Sequence, residues 1–116
     1  MSEQSKTLDP ATIDLEPWPL DDDQLVGNPP DVSGLLLDTS ADGRIERGIW
    51  QHGKGVSRDT ESDEIFVVLS GRATIEVENG PTLAVGPGSV GLLHAGDRTT
   101  WRVQETLRKV FQVTNP

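Results

Sequence analysis

The segment from Glu64 to Trp101 constrains the fold of this chain more than any other part of the sequence. It starts with the run Glu-Ile-Phe-Val-Val-Leu-Ser-Gly at 64–71 and is divided by Asn-Gly at 79–80, Gly-Pro-Gly at 86–88 and His-Ala-Gly at 94–96. Turn residues this closely spaced leave room for short strands but not for long helices. Because a carboxylate is costly to bury without a partner, Glu64 at the head of an apolar strand marks where chemistry would occur.

The rest of the chain continues the same strand pattern, with strand signals roughly every eight to twelve residues. Residues 72–78 alternate between apolar and polar side chains, and Asn79-Gly80 suits a two-residue hairpin because both positions tolerate positive φ. No apolar period of 3.6 residues indicates a long helix. The sequence therefore predicts an all-β sandwich or small barrel, with strands at 35–37, 44–52, 65–70, 72–78, 83–85, 89–93, 99–103 and 107–113.

Residues 1–33 differ from this pattern and predict an extended N-terminal arm, leaving residues 34–116 as the folded domain. The arm contains five prolines and no sustained period. Residues 1–42 hold ten Asp or Glu against one Lys, while the rest of the chain is balanced. Such a run repels phosphate, so we expect neither nucleic acid nor anionic membrane as a partner. We interpret the arm as largely solvated, with part of it docked through Trp18; a specific acidic docking tail is the alternative.

Length and composition exclude several classes of protein. The 116 residues are enough for one domain with a single core. The absence of cysteine excludes disulfides and thiolate metal sites. The polar N-terminus is not followed by a long apolar run, so we expect a cytoplasmic protein with no secretory signal and no membrane span.

Two groups of residues carry a resemblance to the cupin superfamily, the double-stranded β-helix or jelly-roll barrel. Glu64 and, after six intervening residues, Gly71 match the end of the first cupin motif. Pro87-Gly88-Ser89 and His94-Ala95-Gly96 fall at the turns of the second motif. The resemblance implies a cupin barrel over roughly residues 34–113.

Further residues resemble a particular group of small single-domain cupins, those related to the ureidoglycine aminohydrolase domain. These residues are Gly48-Ile49-Trp50 and the run Trp101-x-Val103-x-Glu105-x-x-Arg108-Lys109. By analogy, the resemblance implies chemistry on small, amide-like nitrogen compounds. That enzyme pairs two cupin domains and uses a metal, so we do not transfer its activity to this chain.

The usual cupin metal ligands, three histidines and one glutamate, are represented here only by Glu64. The paired histidines would fall at Arg58 and Thr60, or at Ser57 and Asp59, and the later histidine at Thr99. We therefore predict no cofactor. The alternative is a metal-dependent, aminohydrolase-like enzyme in which Glu64, His52 and His94 hold a divalent metal. We favour His52 as a hydrogen-bonded wall residue and His94 as a turn residue.

Glu64 is the candidate catalytic residue, and a buried Glu64 needs a cation or a proton. Lys54, Arg58 and Lys109 are the cations that neighbouring segments offer. A Glu–Lys or Glu–Arg pair inside the barrel could bind a polar ligand or transfer protons, or it could be purely structural. The predicted ligand-binding residues are Trp50, His52, Arg58, Thr99, Trp101 and Lys109.

The sequence leaves three functions open. The first is a cupin that binds or acts on a small polar metabolite without the three-histidine site. The second is a non-catalytic homodimeric binding or sensing module, and the third a structural subunit. A homodimer is expected because the strand at 65–69 is apolar on both faces, and the face bearing residues 65, 67 and 69 needs a cover.

Overall fold

The structure, a computed structural model, describes residues 4–116 and is almost entirely β. Its strands are β1 (Glu16–Pro17), β2 (Val32–Thr39), β3 (Ile45–His52), β4 (Gly55–Thr60), β5 (Asp63–Val77), β6 (Thr82–Val85), β7 (Val90–Leu93) and β8 (Arg98–Thr114). One 3-10 helix spans Asp22–Gln24, and every strand pairing is antiparallel. This architecture confirms the all-β jelly-roll prediction. No helix among residues 4–116 is long and apolar enough to span a membrane.

Two long bent strands, β5 and β8, connect the two halves of the molecule. Residues 63–68 of β5 pair with 109–114 of β8 in the half that also contains β1, β2, β3 and β7. Residues 72–77 of β5 pair with 99–105 of β8 in the half that contains β4 and β6. The sequence analysis predicted two strands in place of each of these long strands, at 65–70 and 72–78 and at 99–103 and 107–113. This prediction is wrong, because each pair forms one continuous strand.

Irregular pairing around residues 68–73 bends β5 without ending it. The register shifts between Val68 and Ser70 and again on both sides of Arg72. Gly71 lies between these shifts with φ of 86°, and a Cβ there would lie 2.1 Å from the carbonyl oxygen of Thr106 on β8. Only glycine permits this conformation and this approach, so β5 can turn from one half into the other while it stays paired.

The core lies between the two halves, and alternation along β5 decides which residues enter it. Phe66 and Val68 are almost fully buried, whereas Ile65 and Val67 point outwards and are 44% and 39% exposed. Val90 and Leu92 of β7, which pair with Val67 and Ile65, are each 61% exposed. We call these four residues the outer patch. The described structure leaves it uncovered.

The arm docks on the barrel through several contacts. β1 pairs with β2, and the backbone N–H of Trp18 donates to the carbonyl of Val32 at 2.9 Å. The Trp18 ring packs against Gly34, where any Cβ would overlap it, and meets Phe111 edge-on at 6.5 Å between centroids. The expectation that Trp18 docks is therefore confirmed. Residues 1–3 of the predicted arm lie outside the described residues.

Candidate functional site

The centre of the barrel holds a buried ion pair between Glu64 of β5 and Lys109 of β8. The Nζ of Lys109 donates to Oε2 of Glu64 at 2.6 Å, and the two side chains are 6% and 8% exposed, respectively. The prediction that Glu64 faces inwards and finds a basic partner is confirmed. Of the three candidate cations, Lys109 is the partner, while Lys54 and Arg58 are exposed.

Three aromatic rings surround the same ammonium group. The Nζ of Lys109 lies 4.5 Å from the ring centroid of Trp50, 4.6 Å from that of Phe66 and 4.7 Å from that of Trp101. A ring face attracts a positive charge, and more strongly where water is excluded. Glu64 and the three rings together compensate a charge that the interior could not otherwise hold.

A second buried carboxyl, Glu61, was not found by the sequence analysis. It lies in the turn between β4 and β5 and is 7% exposed. Its Oε2 accepts hydrogen bonds from the hydroxyl of Thr99 at 2.6 Å and from the indole N–H of Trp101 at 3.2 Å. Every second side chain of a strand points to the same side, so an inward Ser57 predicts that the side chains of residues 59 and 61 also point inwards. This pattern would have indicated Glu61. That argument requires the strand β4, which the sequence analysis did not predict.

Burial raises the pKa of Glu61 from 4.5 to about 7. The hydrogen bonds from Thr99 and Trp101 act in the opposite direction, while the negative charges of Asp59 and Glu64 add to the rise. Glu61 has no cation at hydrogen-bonding distance among residues 4–116, in contrast to Glu64. Its protonation state therefore changes near neutral pH.

A cavity of about 150 Å³ opens between these groups at the mouth of the barrel. An apolar cavity of about this volume is large enough for one benzene molecule. Leu20 and Gln24 of the arm form part of its rim, and Nε2 of Gln24 donates to Oδ1 of Asp59 at 3.4 Å. The remaining lining residues are Trp50, Ser57, Arg58, Asp59, Glu61, Glu64, Trp101, Lys109, Phe111 and Val113.

The structure brings most of the predicted site residues to this cavity. Trp50, Arg58, Glu64, Trp101 and Lys109 line it. Thr99 and His52 do not, and they instead support residues that do.

His52 is fully buried in the wall of the barrel. Its Nδ1 is 2.6 Å from the carbonyl oxygen of Gly53, and its Nε2 is 2.9 Å from Oγ of Ser57. Burial lowers the pKa of His52, and the positive charge of Lys109 lowers it further. The hydrogen bond to the carbonyl of Gly53 raises this pKa but does not outweigh the effect of burial. The ring is therefore neutral at neutral pH, and both of its nitrogens are already occupied.

The alternative metal set of Glu64, His52 and His94 is not assembled. His94 lies in the turn after β7, where its side chain is 78% exposed and its Nδ1 is 3.9 Å from Oδ1 of Asp63. The carboxylate of Glu64 is held by Lys109. Among residues 4–116, no three His, Cys, Asp or Glu side chains lie close enough together to hold a metal ion.

The other positions at which cupins carry histidine do not supply imidazole either. In the pairing of β4 with β8, Ser57 lies opposite Trp101 and Asp59 lies opposite Thr99, and both of these β8 residues are buried. Ser57 and Asp59, one of the two pairs at which the cupin histidines would fall, therefore face the buried side of β8. A serine, an aspartate and a threonine are a poor donor set for the metals that cupin imidazoles bind. The residues present do not fit the usual cupin metal.

We therefore predict that the purified protein retains no transition metal in stoichiometric amount after dialysis against buffer. Elemental analysis by mass spectrometry measures this directly. A content near one Zn, Ni, Mn or Fe per chain would contradict the prediction.

Replacing Glu64 with leucine should destabilise the protein by roughly 3–5 kcal/mol, because it leaves the Lys109 ammonium buried without its counter-charge. Urea unfolding of the variant and the parent measures the difference. Glu105→Leu is the matched control, since Glu105 pairs with Arg72 at 3.2 Å but both side chains are about 60% exposed. We expect the control to cost less than about 1 kcal/mol. Equal costs would show that the Glu64 pair is not buried.

The raised pKa of Glu61 predicts a pH-dependent stability. Between pH 4.5 and about 7 the folded protein keeps a proton that the unfolded chain releases, so the free energy of unfolding falls as pH rises through this window. The full effect is up to about 3 kcal/mol. Urea unfolding at pH 5 and pH 8 should therefore show a larger loss for the parent than for Glu61→Gln, which cannot ionise. Identical losses would refute the assignment.

Comparison with known proteins identifies the fold family. The sequence model of the EutQ-like cupin domain matches residues 39–111, more than half of the chain. No curated protein matched the sequence.

Several solved structures are similar. The EutQ protein of Clostridium difficile is 22% identical, with a TM-score of 0.67, covering 84% of this chain and 80% of that one. The ethanolamine utilization protein Q of Salmonella typhimurium is 24% identical, with a TM-score of 0.64 and coverages of 72% and 69%. A protein of unknown function from Streptococcus pyogenes is 21% identical, with a TM-score of 0.66 and coverages of 98% and 90%. These likenesses show the fold, and with the family match they establish that the chain belongs to the EutQ-like cupin domain family.

Proposed function

We propose that this cupin binds a small polar metabolite bearing N–H groups in the cavity beside the Glu64–Lys109 pair. The observation that carries the proposal is the buried pair itself, which lies in the wall of a cavity with two tryptophans. Aromatic walls with a few fixed polar groups are typical of small-molecule sites. A fixed pair of opposite charges would orient a ligand that has both a donor and an acceptor.

The charges around the cavity favour ligands that donate hydrogen bonds. Asp59, Glu61 and Glu64 contribute three carboxyl groups, against the two cations Lys109 and Arg58. An ionised carboxylate can only accept hydrogen bonds, so the excess of carboxyl groups over cations favours a ligand that donates them. Amides, ureas and small amines supply the matching N–H groups and fit a volume that suits one benzene.

The relatives suggest the same class of compound. The name of the Salmonella protein refers to ethanolamine utilization. The residues at 48–50 and 101–109 also resemble those of cupins related to the ureidoglycine aminohydrolase domain. Both suggest small nitrogen compounds, and they guide the choice of probes.

The two buried carboxyl groups have different chemical capacities in this proposal. Glu64 is held in place by the ammonium group of Lys109. Glu61, whose pKa is raised to about 7, is suited to transfer a proton near neutral pH if the ligand is transformed.

The test is a titration with acetamide, urea and ethanolamine, followed through the indole N–H signals of Trp50 and Trp101 by nuclear magnetic resonance. We expect chemical-shift changes that saturate at millimolar concentrations of the probe. A dissociation constant in the millimolar range corresponds to a binding free energy of about −4 kcal/mol. Glu64→Gln should weaken binding about tenfold while the protein stays folded, because glutamine keeps the shape but loses the charge.

Glu105→Gln is the matched control, since it removes an exposed carboxylate of β8 and should bind as the parent does. If none of the probes shifts the tryptophan signals, the cavity is not a site for this class of ligand. If Glu64→Gln binds as well as the parent, the ion pair has no role in recognition.

A second candidate function, the homodimeric binding module, is favoured by the outer patch. Ile65, Val67, Val90 and Leu92 form a continuous apolar surface across β5 and β7. A chain of net charge −9 repels its own copies, and this repulsion is weakest where the facing surface carries no charge. We propose that a second copy of the chain covers the patch.

The dimer is tested by light scattering at micromolar concentration, where we expect twice the chain mass. Val90→Lys with Leu92→Lys should yield monomers, since two ammonium groups would be buried in the contact. Thr82→Lys with Ala84→Lys, at exposed positions of β6, is the control and should remain dimeric. A parent protein of monomer mass would refute the proposal.

A further inference from the structure

The two oxygens of the Glu61 carboxyl are in different situations. Oε2 accepts hydrogen bonds from Thr99 and from Trp101. A threonine hydroxyl can donate or accept, but an indole N–H can only donate. Oε2 must therefore present a lone pair to Trp101 in either protonation state of Glu61.

The two hydrogen bonds to Oε2 favour Oε1 as the position of a proton on Glu61. A proton on Oε1 leaves both bonds in place, whereas a proton on Oε2 would require the Thr99 hydroxyl to accept from Glu61 and to donate instead to the carbonyl oxygen of Asp59, at 3.5 Å. Glu61 lines the cavity, and Oε1 receives no hydrogen bond from residues 4–116. Oε1 is thus the atom of Glu61 that remains for a ligand.

We propose that Oε1 of Glu61 is a ligand contact that reverses its hydrogen-bonding role with pH. When it is protonated, Oε1 donates to a carbonyl oxygen; when it is ionised, Oε1 accepts from a cationic nitrogen. The cavity thereby selects neutral amides under mildly acidic conditions and amidinium or ammonium ions above neutral pH. This inference rests on the proposed small-molecule site and specifies its ligand class.

The charged groups that face Glu61 agree with this assignment. Asp59 of β4 and Glu64 of β5 are negative neighbours that oppose ionisation of Glu61. Lys109 of β8 is already paired with Glu64, and Arg58 of β4 is exposed at the rim.

Two other titratable groups of this region have shifted pKa values. Burial raises the pKa of Asp59 from its usual 3.8, and burial lowers that of His52 below 6.5. Glu61, with a pKa of about 7, titrates around neutral pH. Ionisation of Glu61 then adds a negative charge next to two others and favours a cationic ligand.

The experiment compares acetamide with acetamidinium, two molecules of nearly the same shape of which only the second is a cation. Their dissociation constants are measured by nuclear magnetic resonance from pH 5.5 to pH 8.5, together with the carboxyl carbon shift of Glu61. Acetamidinium should bind about tenfold more tightly at pH 8 than at pH 6, because the ionised fraction of Glu61 rises from roughly 0.1 to 0.9. Acetamide should show the opposite trend.

Two variants separate this role from a structural one. Glu61→Gln should remove the pH dependence of both probes, whereas Glu105→Gln should keep it. Thr99→Val removes a donor that favours the ionised form, so the midpoint of acetamidinium binding should move to higher pH together with the carboxyl carbon shift.

The outcomes distinguish the two proposals. Binding of both probes without pH dependence, or the same dependence in Glu61→Gln, overturns the role of Oε1 and leaves the binding site in place. A midpoint unmoved by Thr99→Val also overturns that role. Failure of both probes to bind at any pH overturns the small-molecule site and, with it, the inference.

Discussion

The organisation of the barrel interior depends on the compensation of one buried positive charge. An ammonium group loses several kcal/mol of hydration on burial, and the loss is repaid only by close partners of suitable geometry. Here Glu64 lies at 2.6 Å and three ring centroids lie within 4.7 Å. These partners come from three different strands, β3, β5 and β8. The charge is therefore compensated only when both the register of β5 against β8 and the position of β3 are correct.

The same arrangement gives two nearby carboxyl groups opposite properties. Glu64 and Glu61 are three residues apart, yet Glu64 bonds a cation and Glu61 bonds only neutral donors. In this cupin the ion-paired carboxylate and the carboxyl group with the raised pKa border one cavity.

The arm contributes to this cavity and is more than a solvated extension. Arg108 of β8 holds it through the carbonyls of Pro10 and Ile13, and Trp18 anchors it on Gly34. These anchors lie before the 3-10 helix and fix the course of the chain that delivers Leu20 and Gln24 to the rim. The acidic run at 21–23 is consequently held beside the opening, where it adds negative charge.

The sequence by itself determined the fold class, the inward position of Glu64 and the need for a basic partner. Turn residues at short intervals permit only strands, and an apolar strand headed by a carboxylate must compensate that charge. Tertiary structure decided which cation fulfils this role, because the pairing of β5 with β8 brings Lys109 to Glu64 while Lys54 and Arg58 remain exposed. It also revealed Glu61, which follows β4, a strand whose glycine and charged residues conceal its β character. Local sequence encodes alternation and turns, whereas the partners of a buried charge depend on how distant strands align.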